Sequence, residues 1–196
     1  MYIETEEEIA SKKEQYLNTK IATMDEVLAY KNDQLVYEFM DQYDVDFDEA
    51  NGIFKETKRW LWVCAYWQKD SLINKNVPNL VVTYDLLILD EMWHIFMLYS
   101  QAYTDFCNKY FGYYLHHLPT PPPQNKIKKS KRPRGTEGSP FSSSDEIENR
   151  ITKETLEEQL HYLYDLIGGD TIKLWYDTFP NKYHLRFFMD EFVKWE

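Results

Sequence analysis

Apolar residues recur at a spacing near 3.6 along most of the chain, the period of an amphipathic helix, and no strand hairpin is evident. Met24, Val27, Leu28, Leu35, Val36, Phe39 and Met40 predict one helix, with Thr23 or Asp25 at its start. A second periodic run passes through Ile53, Phe54, Trp60, Leu61, Val63, Cys64 and Trp67. Asp44, Asp46 and Asp48 stand at its head, where a carboxylate caps free N–H groups and complements the helix dipole. Pro78 marks a connection, and residues 79–83 form at most a short extended segment. Residues 84–99 and 100–115 then predict two helices joined as a hairpin, with Ser100 placed to cap the second.

The two ends and the middle read differently. Residues 1–18 carry only Ile3, Ile9 and Tyr16 as sparse apolar points and predict a weakly anchored helix or a frayed arm. From 119 to 145 the chain changes to Pro119, Pro121, Pro122, Pro123, a basic run, Gly135, Gly138, Pro140 and serines, which is the composition of a linker or long surface loop. Helical spacing resumes through Ile151, Leu156, Leu160, Leu163 and Leu166 and should stop at Gly168-Gly169. Two short helices, 172–179 and 185–195, should follow on either side of Pro180. The expected fold is therefore all-α, a compact multi-helix domain around a central helical hairpin. Residues 1–118 supply the N-terminal helices and hairpin, 119–145 the linker, and 146–196 C-terminal helices packing on the same core.

Composition narrows the chemistry. The 196 residues are 43% hydrophobic and 17% aromatic, enough for a packed core and incompatible with a mainly disordered chain. Glycine occurs six times, without G-x-x-x-x-G-K-[ST], G-x-G-x-x-G or G-x-S-x-G, which removes nucleotide-loop and nucleophile-elbow chemistry. Cys64 and Cys107 lie in apolar helical contexts with no C-x-x-C pair and no secretory leader, so a cytoplasmic setting is expected. The most apolar run, 86–98, is interrupted by Asp90, Glu91 and His94 and falls short of the roughly 20 residues that span a bilayer, so no membrane insertion is expected.

The net charge of -11 conceals an asymmetry. Lys126, Lys128, Lys129, Lys131, Arg132 and Arg134 hold six of the 22 basic residues, leaving 16 basic against 33 acidic elsewhere. An acidic body repels nucleic acid, so any nucleic-acid contact belongs to the basic linker, which reads equally as a solvated tether.

One constellation carries candidate chemistry. Asp90 and His94 are spaced i, i+4, so on a helix they share a face and the carboxylate can orient the imidazole. Across the hairpin His94 comes level with Cys107, while His116 and His117 fall about 14 Å farther along the axis if the second helix runs on. A metal held by His94, Cys107 and His117 requires that helix to bend or end early. Zinc accepts all of these ligand types. The competing reading buries His94 against Asp90, makes Cys107 a core hydrophobe and sets His116 and His117 at a helix C-terminus. A Cys107/His94 nucleophilic dyad is a further alternative. The aspartates at 44, 46 and 48 imitate the start of a calcium loop, but Glu49 stands where that loop needs Gly and Lys55 where it needs Glu. Trp62 falls off the Trp60, Cys64, Trp67 face and is the candidate interface anchor.

Asp90, Trp93, His94, Leu98, Tyr103, Cys107, Phe111, Gly112, His116 and His117 resemble the pattern of the glycine-rich-domain-containing-protein-like family, D-x-x-W-H-x-H-x-L followed by Tyr, Cys, F-G and a histidine-containing end. Residues 56–67 are similar to the aromatic helix that precedes this pattern, and residues 164–180, with Trp175 and Pro180, to a Tyr-rich segment after it. Phe96 stands where members often carry a second histidine, and the glycine-rich tail is absent. The resemblance implies an all-helical cytosolic domain and brings no established activity. The leading expectation is a non-catalytic protein-interaction or scaffold module that binds a protein partner through Trp62, with the linker as a second contact and no cofactor. The alternatives are a metal- or thiol-dependent enzyme centred on His94 and Cys107, with zinc as its cofactor, and nucleic-acid association through the linker.

Overall fold

Thr23 opens the first helix, α1 (Met24–Leu28), with a reciprocal cap. Its hydroxyl accepts from the Glu26 N–H, and the Glu26 carboxylate accepts from the Thr23 N–H at 2.8 Å. The computed structural model describes residues 5, 11, 13–14, 16–117, 153–184 and 187–188. The expected linker 119–145, with Lys126, Lys128, Lys129, Lys131, Arg132 and Arg134, and most of the expected last helix lie outside the described residues.

The single helix predicted from Met24 to Met40 is two. After α1 the chain turns, and α2 (Asp33–Gln42) starts at Asn32, whose side-chain oxygen accepts from the Leu35 N–H at 3.3 Å. The polar Lys31-Asn32-Asp33 triplet offers the backbone a cap where the apolar period alone suggests continuity. The carbonyls freed by the break are taken up from outside, because the buried Lys58 ammonium donates to Leu28 O at 2.9 Å and to Tyr30 O.

Asp46 caps α3 (Phe47–Ser71) by accepting from the Glu49 N–H at 2.9 Å, as the carboxylates at its head suggested. This 25-residue helix is the axis of the fold, with α1, α2 and the first arm of the following hairpin packed around it. Its position explains an uninterrupted buried polar triplet, Glu56-Thr57-Lys58. Glu56 accepts from Trp175 Nε1 at 3.0 Å and pairs with Arg59, Thr57 donates to Leu89 O, and Lys58 is held as above.

A 3-10 turn (Tyr84–Leu86) leads into α4 (Leu87–Leu98), and α5 (Ser100–Tyr110) returns as the second arm of the hairpin. Ser100 does not cap α5. The helix starts from Tyr99, and no side chain takes its free N–H groups. Nor does α5 reach residue 115. It ends at Tyr110, followed by Gly112 at φ 75°, a left-handed conformation that glycine adopts without a Cβ penalty.

Helix α6 (Lys153–Lys173) is interrupted at Gly168 (φ 77°, ψ 165°) and then resumes, so the glycine pair kinks the helix where a stop was expected. A π-helical turn (Leu174–Thr178) runs directly into α7 (Phe179–Lys182). Pro180 lies in the first turn of α7, so the helical run continues past it to Lys182 and does not stop before it as expected. These elements close on the same aromatic core as the N-terminal part. Trp175 is fully buried with its ring 5.7 Å from that of Trp60, and Gln159 holds both the N–H and the carbonyl of Val81, at 2.8 and 3.1 Å. The fold is all-α, with no strand among the described residues, and no described helix is long and apolar enough to cross a membrane.

Candidate metal centre

Helix α4 places Asp90 and His94 one turn apart on one face, with His94 Nδ1 3.8 Å from Asp90 Oδ2. The third member arrives because α5 ends early. After Tyr110, both Phe111 N–H and Gly112 N–H bond to Cys107 O, and the positive φ of Gly112 turns the chain back along the hairpin. Residues 113–117 then run as a strap without regular secondary structure: Tyr113 and Leu115 are buried, Tyr114 and His117 are half-buried, and His116 is exposed. His117, and not His116, is the histidine turned toward the fold. His117 Nε2 lies 2.8 Å from Asp90 Oδ1, and its ring stands 4.3 Å from that of Trp93 and 4.8 Å from that of His94.

Ligand atoms of Asp90, His94 and His117 thus lie within 4.8 Å of one another. Side-chain exposure is 14% for Asp90, 20% for His117 and 45% for His94, so the cluster is rooted in the fold and open on the His94 side. Two of the three contacts bear on one carboxylate, each through a different oxygen.

His94 is therefore not the buried core histidine of the competing reading, since helix α4 presents its imidazole at the surface. His116 and His117 do not sit at a helix C-terminus either. They follow α5 by several residues, and His116 packs on Tyr114 with ring centroids 4.8 Å apart. Cys107 does not join the cluster. It is fully buried, its sulfur beside the Leu115 backbone N–H and the Tyr103 hydroxyl, and burial pushes its thiol up to about 11 despite these donors. The Cys64 thiol is raised further, by burial first and by the negative Asp90 second. Trp62 is half-buried on α3, donates Nε1–H to Ala22 O at 2.9 Å and stacks on Tyr66 at 5.2 Å.

Two residues around the cluster escape a reading from spacing alone. Trp93 lines His117 with its ring and donates Nε1–H to the Tyr103 hydroxyl at 3.0 Å, and Tyr103 in turn donates to Leu115 O at 2.6 Å. Tyr103 falls at a core position of α5, so its period marks it as packing, and only the returning strap gives its hydroxyl a partner.

A family model described as UCP032817-like matches residues 37–133, just under half of the chain, and that span includes all three cluster residues. The description names no activity. No curated protein and no solved structure matches the chain.

Proposed function

We propose that this protein is a metal-binding helical domain in which Asp90, His94 and His117 hold one divalent transition metal, zinc being the ion that suits two imidazoles and a carboxylate best. The observation that carries the reading is the convergence of three ligand atoms within 4.8 Å from two separate elements. Around a tetrahedral zinc with bonds of about 2.0–2.1 Å, neighbouring ligand atoms stand ~3.3 Å apart. Asp90 Oδ1 stands 2.8 Å from His117 Nε2 and Asp90 Oδ2 3.8 Å from His94 Nδ1, while the set spans up to 4.8 Å, so the half-exposed His94 ring has to move inward to complete such a shell.

Three protein ligands leave a fourth position, and the exposed His94 side gives it to solvent. A divalent metal held by Asp90, His94 and His117 would supply Lewis-acid chemistry of the kind used in metal-assisted hydrolysis. Support for a thiol nucleophile is weaker, because the Cys107 sulfur is buried and its thiol is raised to about 11. An interaction surface centred on Trp62 is also less well supported, since its indole N–H is committed to Ala22 inside the fold.

Titration of chelator-stripped protein with zinc, followed by calorimetry, tests the reading. One equivalent should bind to the wild type and to His116→Ala, and His94→Ala and His117→Ala should each lose at least tenfold in affinity. Equal binding by all four proteins, or binding by none, would overturn it.

A further inference from the structure

The strap that delivers His117 is fastened by two buried tyrosine hydroxyls. Tyr113 donates to Ala65 O on α3 at 3.0 Å, and Tyr103 donates to Leu115 O at 2.6 Å, two residues before His117. The Tyr103 oxygen is itself oriented by the Trp93 indole N–H at 3.0 Å, and the Trp93 ring forms one wall of the His117 site. No regular secondary structure holds residues 113–117, so these side-chain bonds take over the work that a sheet ladder would do.

We infer that Tyr103 and Tyr113 are the positioning residues of the Asp90–His94–His117 centre: their hydroxyls clamp the strap so that His117 Nε2 stands 2.8 Å from Asp90 Oδ1 and its ring beside that of His94. The inference rests on the metal-binding reading above. Its physical content is preorganisation. A strap lacking these bonds has to be ordered by the metal itself, and that cost appears as weaker binding. A bond from Tyr103 to a main-chain carbonyl near a ligand acts as an outer-sphere contact, the class whose loss typically lowers metal affinity by about 10- to 100-fold. Tyr103 controls the end of the strap nearest the ligand and should have the larger effect.

The test compares Tyr103→Phe and Tyr113→Phe with the wild type. Tyr176→Phe is the control, since it removes a half-buried tyrosine hydroxyl that accepts from Gln159 and takes no part in fastening the strap. Each stripped protein is titrated with cobalt, and both the affinity and the visible d–d absorption of the bound ion are read. Tyr103→Phe should bind about tenfold or more weakly, with an altered band shape that reports a displaced ligand. Tyr113→Phe should show a smaller loss, and Tyr176→Phe should match the wild type in affinity and spectrum. If Tyr103→Phe fails to fold, the comparison of Tyr113→Phe with Tyr176→Phe decides. Wild-type affinity and an unchanged spectrum in both strap variants would overturn the positioning role while leaving the metal site standing. Failure of the wild type to bind cobalt would instead remove the metal reading itself.

Discussion

Asp90 is the residue on which the site turns, because each of its carboxylate oxygens faces a different histidine. Half of that geometry is legible in the sequence, since i, i+4 spacing on an apolar helix sets Asp90 and His94 on one face. His117 could be named as the second imidazole only on the condition that the second helix end early, and the sequence does not show that it does so at Tyr110 with a turn at Gly112. Spacing also brings Cys107 level with His94, but gives no sign that the sulfur faces Tyr103 and Leu115 in the core. With that thiol buried and raised to about 11, a disulfide exchange reagent at pH 8 should modify native Cys107 far more slowly than the same cysteine in denaturant. Fast labelling of the folded protein would restore the nucleophile reading.

The short strap after α5 decides whether there is a site at all. Gly112 holds φ 75°, and a Cβ there would collide with the Thr19 side chain, so Gly112→Ala combines a left-handed penalty with a clash. It should destabilise the protein by about 1–3 kcal/mol in denaturant unfolding and weaken metal binding together with it. Unchanged stability would mean that the turn tolerates a side chain and that the strap is less constrained than its geometry implies. The same contrast between local signal and tertiary demand runs through the other elements. The caps at Thr23 and Asp46 were legible because they rest on one side chain and the next turn. The break between α1 and α2 was not, because its open carbonyls are satisfied by Lys58 from a different helix. Gly168 and Pro180 are strong punctuators in sequence, yet one only kinks α6 and the other fits the first turn of α7.

Across the whole molecule, the aromatic content foretold a packed helical core, and the fold bears that out with Trp60, Trp175, Tyr103, Phe54 and Phe96 all but fully buried. What composition did not reveal is how many phenolic hydroxyls serve as fasteners between segments distant in sequence, such as Tyr183 to Glu49 and Tyr162 to Asp70. Burial raises the phenols of Tyr103, Tyr113, Tyr162, Tyr176 and Tyr183 above their ordinary value of 10.0. The folded state therefore keeps protons that the unfolded chain gives up. Stability from these groups is fully present below pH 10 and is lost as pH rises above it. Lys58, drawn down to about 8 by burial and by Lys55 and Lys31, works in the opposite direction between about pH 8 and 10.5, but one lysine is outweighed by five phenols, so the net fall should begin within that window as the pH nears 10. Tyrosinate absorption and helical dichroism followed together should show part of the 16 tyrosines ionising only as the helices melt. A single tyrosine wave near pH 10 with the helices intact would contradict this. For the centre itself, the most direct measurement is X-ray absorption at the zinc edge of protein loaded with one equivalent. The expected spectrum has a nitrogen and oxygen shell at about 2.0–2.1 Å with outer scattering from two imidazoles and no sulfur. A sulfur shell at about 2.3 Å, or the absence of imidazole scattering, would contradict the account.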